Sequence, residues 1–300
     1  MARILFFIGK GGVGKSTNAS LFAFHLAREG YSVLLDSLDP AHNLHDVFET
    51  KIGPKPKKLM ANLWIQETDM DEWVKLYLKQ TESDFKQIYK YQEAFNLHKY
   101  FRTLKYSPGL EEYAVLLAME DTVMRHGDKD FIIFDTPPTA LTLKFLALPD
   151  VSIIWLRELS SFRQMILDKK EIVTKIHTGR KEGMRETDRV LHRVNGLIDK
   201  YSKLSLMLKD PVNTRIFTVL NPSILSLEES RDIHTELIRL GYKVPYFILN
   251  KCGDDDPYIG KVKKAFPDVK ILTQHSCADE VTGIDVLEEQ TLPIDIKDLF

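Results

Sequence analysis

Short apolar runs recur along this chain, separated by longer stretches of mixed polarity. They are RILFFI (3–8), YSVLLD (31–36), LWIQET (63–68), DFIIFD (130–135), VSIIWL (151–156), TRIFTVL (214–220), VPYFIL (244–249) and VKIL (269–272). Each has the length and continuity of a strand buried on both faces. After the first run, residues from Lys15 to Arg28 place Ala19, Leu21, Phe22 and Leu26 on one helical face, and Gly30 stops the helix. Strand, helix and strand follow within about 35 residues, the spacing of a parallel βαβ unit. The pattern predicts an α/β fold, a doubly wound and mostly parallel sheet of about eight strands, in one domain over residues 1–300.

Two stretches are too long for simple crossovers. Residues 69–125 are rich in Tyr, Phe, Leu and Lys, and are broken by YSPG at 106–109. Residues 160–210 read as a helical hairpin turning at HTGRKEG, with Val190, Leu191, Val194, Leu197, Ile198, Tyr201 and Leu204 at helical spacing on its second arm. Such stripes either pack on the sheet and on each other or build a cap with an apolar binding surface. Within the first insertion, residues 91–106, with Phe95 and Leu97, are a candidate part of that surface.

Composition narrows the classes. Hydrophobic residues make up 44% and charged residues 28%, enough for a large core, and the formal net charge of −2 gives no reason to expect nucleic acid as a partner. The hairpin carries more Lys and Arg than Asp and Glu, which reads as a solvated helix face before an acidic-membrane contact. Cys252 and Cys277 are the only cysteines, so no disulfide framework is implied and a reducing, cytoplasmic setting fits. The apolar run at 4–8 is too short for a signal peptide, and no uninterrupted apolar run approaches the ~18 residues of a membrane span.

One segment carries the chemistry. FFIGKGGVGKSTNAS (6–20) contains Gly-x-x-x-x-Gly-Lys-Ser between a strand and a helix. Its glycines, Gly9, Gly11, Gly12 and Gly14, with Val13 between the last two, let backbone N–H groups turn around phosphate oxygens. The helix N-terminus adds free donors and its dipole. Lys15 reaches the β- and γ-phosphates, Ser16 offers a hydroxyl to Mg²⁺, and Thr17 steadies the α-phosphate. These residues predict a nucleotide site in a P-loop NTPase. Lys10 is surplus to that loop.

Two carboxylates complete the pattern. Asp135 ends the apolar strand FIIFD, where an acidic residue closes the Mg²⁺ shell; its alternative is a cap on the next helix. Asp39, followed by Pro40, alone reads as a helix N-cap with proline at the first helical position. Beside a phosphate loop it reads as the group that orients the attacking water, with a share in the Mg²⁺ shell through water.

GKGGVGKST (9–17), DPAHNLHD (39–46) and DTPPTALTLKFLALP (135–149) together resemble the arsenite-pump ATPases and the related ATPases that deliver tail-anchored membrane proteins. Residues 224–251 resemble a late helix–strand segment of the same family, so the likeness covers nearly the whole chain. This is the deviant phosphate-loop group, named for the extra lysine. The resemblance implies an ATP-hydrolysing, Mg²⁺-dependent homodimer in which Lys10 reaches the partner's nucleotide. It also implies Asn43 as a γ-phosphate sensor, Asn250 as an adenine contact, and a helical cap that engages a protein client, in one form a hydrophobic membrane segment. Membrane contact would be transient and through a receptor. The alternatives are a subunit energising an arsenite-type anion transporter and a nucleotide-controlled interaction protein with negligible turnover.

Several positions depart from the family pattern. Pro137, Ala140 and Leu141 replace the usual alanine, glycine and histidine after Asp135, which predicts a stiffer switch. Ser223 stands where many relatives carry glutamate. Neither a Cys-x-x-Cys zinc motif nor a thiol cluster for arsenite is present, and no cysteine lies between Asp39 and Asp135 to hold an iron–sulfur cluster. No zinc or iron–sulfur cofactor is expected. The acidic, proline-containing stretch 287–300 is unlike a membrane-docking basic helix.

Overall fold

The computed structural model describes residues 2–41, 44–88, 107, 109–178, 188–253, 255–275 and 281–299. Its centre is an eight-stranded sheet in the order β3-β4-β2-β5-β1-β6-β7-β8. The strands are β1 (Arg3–Ile8), β2 (Val33–Ser37), β3 (Lys57–Met60), β4 (Leu63–Glu67), β5 (Phe131–Asp135), β6 (Thr214–Leu220), β7 (Tyr246–Cys252) and β8 (Lys270–His275). Every pairing is parallel except β3 with β4. This is the α/β sheet that the apolar runs predict.

Alternation within the buried strands sorts the two faces. Leu5 and Phe7 of β1 pack with Phe22 and Leu26 of α1 (Lys15–Arg28) and with Phe217, and the Phe7 ring lies 5.1 Å from Phe22 and 5.0 Å from Phe217. Helices α2 (Leu44–Phe48) and α9 (Ile284–Glu289) close that side. Ile4, Phe6 and Ile8 face the opposite core. There they meet α4 (Leu110–Arg125), α5 (Thr139–Thr178), α6 (Arg189–Lys209), α7 (Ile224–Arg239) and α8 (Pro257–Ala265).

Two expectations fail at the level of elements. VSIIWL is not a strand but lies inside α5, a 40-residue helix. A six-residue apolar run does not distinguish a strand from a buried helical turn. Here Ser152 and Ile153 point inward, while Ile154 and Trp155 are exposed, which is helical and not alternating burial. In its place the eighth strand is β3, KKLM, a polar edge strand joined to β4 through Ala61 and Asn62. Its first two residues are exposed, so it carries no apolar signature.

The helical hairpin exists, but its first arm starts at Thr139, so Ala140 and Leu141 of the switch already lie in it. Arg163 of α5 pairs with Asp188 at 2.7 Å, and Asp188 also caps α6 by accepting from the Leu191 N–H. Asp150 of α5 holds Lys209 of α6. Leu191, Tyr201 and Leu204 of the predicted stripe are buried. In the first insertion, α3 (Met70–Ile88) and α4 meet through stacked Tyr77 and Tyr113 rings, 5.6 Å apart. Tyr113 Oη lies 3.1 Å from Ser152 Oγ of α5. Residues 91–106 fall outside the described residues.

Candidate nucleotide and magnesium site

The loop from β1 into α1 borders a cavity of about 860 Å³, which also touches the ends of β2, β7 and β8. A parallel sheet puts the carboxyl ends of its strands on one edge, and loops there converge on a shared crevice. Gly14 begins α1 with φ 95°, a conformation that favours glycine, and a Cβ on it would collide with the Asn250 carboxamide. A Cβ on Gly9 would strike the Val219 carbonyl of β6. Both glycines are thus fixed by close approach of neighbouring strands.

Around this cradle the acidic and basic groups gather. Lys15 is buried, lines the cavity, and folds its ammonium back to the Lys10 carbonyl at 3.3 Å. Gly11, Gly12, Gly14, Ser16, Thr17, Asp39 and Asn250 line the same cavity. Asp135 is fully buried at the end of β5 and accepts from Ser37 Oγ at 3.3 Å through Oδ2. Its Oδ1 has no partner. Burial pushes the Asp135 carboxyl up to about 7; the Ser16 hydrogen bond and Lys15 oppose the rise, and Asp39 adds to it. A buried carboxylate with an orphaned oxygen beside a serine hydroxyl fits Mg²⁺. That ion takes one or two protein ligands and completes its shell with water and phosphate oxygens. Among the described residues no group of three or more His, Cys, Asp or Glu gathers as a metal site, here or elsewhere.

Asp39 does not cap a helix. Its Oδ1 accepts from Ala41 N at 3.0 Å in an Asx turn, and α2 begins only at Leu44. The Asp39 N–H donates to Ser37 Oγ at 3.3 Å, the hydroxyl that also donates to Asp135. Ser37 therefore ties the Asp135 carboxylate to the Asp39 backbone, a link that spacing did not reveal. Asn18 is a second such residue: it lines the cavity, and its Nδ2 donates to the Gly14 carbonyl at 2.8 Å.

Three predicted residues take positions of their own. Gly9, Lys10 and Val13 do not line the cavity; Val13 is buried, and Lys10 Nζ lies 3.1 Å from Glu229 of α7. Asn250 donates to the Val13 carbonyl at 2.8 Å, so it braces the loop as well as bordering the cavity. Asn43 lies outside the described residues. At Ser223 the hydroxyl caps α7 by accepting from Ser226 N at 3.2 Å. Cys252 is buried, and its thiol donates to the Leu249 carbonyl at 3.3 Å, while Cys277 lies outside the described residues. The far end of the cavity is formed by Lys251, Gln274, His275, Val281 and Thr282, which carry no motif recognisable in sequence.

The profile of a family described as anion-transporting ATPase matches residues 2–293. A putative arsenical pump-driving ATPase 2 of Aquifex aeolicus is 30% identical over 96% of this chain and 97% of its own length. The ATPase GET3 of Malassezia globosa is 29% identical over 81% of this chain and 70% of its own. An ATPase ASNA1 homolog of Paramecium tetraurelia is 25% identical over 95% and 90%.

Proposed function

Since the chain belongs to the anion-transporting ATPase family and is an ATPase, we propose that it works as a Mg²⁺-dependent homodimeric switch. Its helical cap would hold and release an apolar segment of a protein client. The observation that carries this reading is the outer face of α5. Val151, Ile154, Trp155, Leu159, Phe162, Met165, Ile172 and Ile176 are all exposed, with Trp155 at 66% and Ile176 at 76%. From Val151 to Met165 they follow one helical side, and beyond the charged pair Asp168 and Lys169 the same side resumes at Ile172 and Ile176, about 37 Å of helix in all. An exposed apolar face of that length marks a binding surface. It matches the ~30 Å length of a 20-residue apolar helix.

The same helix is long and apolar enough to cross a membrane by length and composition. Its inner face, however, is fastened to α6 and α4 by Asp150, Ser160, Arg163 and Ser152. One face anchored and one face apolar suits a receptor for a hydrophobic segment better than a span.

In the proposed cycle Lys15 and the loop N–H groups bind the β- and γ-phosphates. Ser16, Asp135 and Asp39 would hold Mg²⁺ there. When bound, Mg²⁺ supplies charge neutralisation on the phosphate oxygens. Asp39 orients a water whose oxygen bonds to the γ-phosphorus as the bond to the β–γ bridging oxygen breaks, leaving ADP and phosphate. Lys10 of one subunit neutralises charge at the partner's site. Asn43 is assigned the γ-phosphate contact and Asn250 the adenine edge.

The names of the pump-driving relatives favour a second reading, in which hydrolysis energises an anion transporter. A fluorescent peptide with about 20 apolar residues separates the two. Nucleotide-dependent capture of that peptide is the expected result. Stimulation of phosphate release by arsenite or antimonite, without peptide capture, would transfer the assignment to the pump.

A further inference from the structure

Asp36 is a fully buried carboxylate that the hydrolytic chemistry leaves unused. It projects from β2 to the face of the sheet opposite the phosphate loop. Thr68 Oγ1 donates to its Oδ1 at 2.8 Å, and Thr122 Oγ1 of α4 donates to its Oδ2 at 2.8 Å. Gln66 Nε2 supports the second bond by donating to Thr122 Oγ1 at 3.2 Å. These are neutral donors only, and burial pushes the carboxyl up to about 6 against them. A charge held this way is an expensive means of fastening a helix to a strand.

Its connections run in both directions. Ser37, the next residue, bonds Asp135 and the Asp39 N–H with its hydroxyl, and accepts from Thr68 N at 2.9 Å with its carbonyl. Thr68 is therefore held by Asp36 and Ser37 together, two residues before α3 begins. On the other side, Thr122 lies on the same rigid helix as Tyr113. Tyr113 stacks on Tyr77 of α3 and meets Ser152 on the inner face of α5, the helix whose outer face is apolar.

We propose that Asp36 is a positioning residue that couples the nucleotide site to the helical cap, passing displacement of Ser37 and Asp39 to α3 and α4 through Thr68 and Thr122. This rests on the ATPase-switch reading above. The hydroxyl bonds tie β2 to α4, so a displacement of β2 set off at the γ-phosphate position would be carried to α4 or would strain these bonds.

The test is amide-hydrogen exchange over 110–125 and 151–176, comparing Mg²⁺–ADP with Mg²⁺–ADP–beryllium fluoride. Wild-type protein should show a state-dependent change of about fivefold or more in both segments. Asp36→Val should bind ADP within about threefold of wild type and show less than about a twofold change. Asp36→Asn, which can bond both threonines, should restore most of the response. A purely structural role predicts a lower melting temperature with the state-dependent change intact, and that result in Asp36→Val would overturn the proposal. So would a wild-type protein that binds both nucleotide states but shows no change in 110–125. If wild-type protein neither hydrolyses ATP nor distinguishes the two states in binding, the switch reading itself is what fails. Should Asp36→Val not fold, Thr122→Val removes one arm alone and carries the same expectation.

Discussion

At the residue scale, the phosphate loop holds two lysines in different surroundings. Lys15 is buried in the loop that it serves, whereas Lys10 is nearly half exposed and paired with Glu229. An exposed pair of that kind is worth at most about 1 kcal/mol, so it holds Lys10 only loosely. Lys10→Ala is expected to cut turnover at least about a hundredfold, as loss of an arginine-finger equivalent does, with ADP affinity nearly unchanged. Phosphate-release assays with calorimetric ADP titration check this, and near-normal turnover would remove the trans-lysine role. Asp39→Asn should bind ATP and stall, and brisk hydrolysis by that variant would place the water-orienting group elsewhere. Asp36 predicts a pH effect with the opposite sign to an ordinary salt-bridged carboxylate. Burial lifts it to about 6 in the folded protein, above the ordinary 3.8 of an aspartate, so between those values the folded protein keeps a proton that the unfolded chain has lost. The resulting penalty is absent below pH 4 and grows to about 3 kcal/mol above pH 6. Urea unfolding of wild type and Asp36→Asn should therefore show the variant gaining relative stability as pH rises from 4 to 7. A pH-independent difference would contradict the assigned environment.

At the element scale, α5 joins the two ends of the proposed mechanism. It starts four residues after Asp135 and runs out along the apolar face without interruption. Pro149 lies within it, and Thr142 Oγ1 donates to the Pro137 carbonyl at 2.7 Å, which stiffens its first turn. Asp substituted at Trp155 and Phe162 together should weaken capture of the apolar peptide by more than about tenfold, since each aromatic contributes on the order of 1–3 kcal/mol of burial. Fluorescence anisotropy measures it, and unchanged capture would move the client surface off α5. The sequence pointed to 91–106 for that surface, a segment outside the described residues, and misread part of α5 as a strand. The strand reading relied on local apolar density, which carries no information about which face a neighbour covers.

At the scale of the whole molecule, the two subunits of the proposed dimer would each contribute to both sites. This makes a mixing experiment decisive. Lys10→Ala and Asp39→Asn subunits are each inactive as homodimers under the model. A mixed dimer regains one working site, in which the intact Asp39 of one subunit meets the intact Lys10 of the other. Equal mixtures should then recover about a quarter of wild-type turnover, half the dimers being mixed with one of two sites active. Recovery near zero would show that Lys10 acts within its own subunit.

The parallel core strands, the helix after the phosphate loop, Lys15, Ser16 and Asp135 were legible in the sequence. Their signals are local: a buried parallel strand is a continuous apolar run, and a phosphate cradle needs closely spaced glycines. The polar edge strand β3 and the course of α5 were not legible, because burial and pairing there depend on distant partners. The same limit applies to Ser37 between Asp39 and Asp135, to Asn250 beneath the loop, and to Asp36 between two threonines 54 residues apart in the chain. Sequence determined which chemical groups this protein owns and the periodicity that builds its sheet. Only the tertiary structure decided which of those groups share a hydrogen bond, because the sheet brings together residues that chain distance keeps apart.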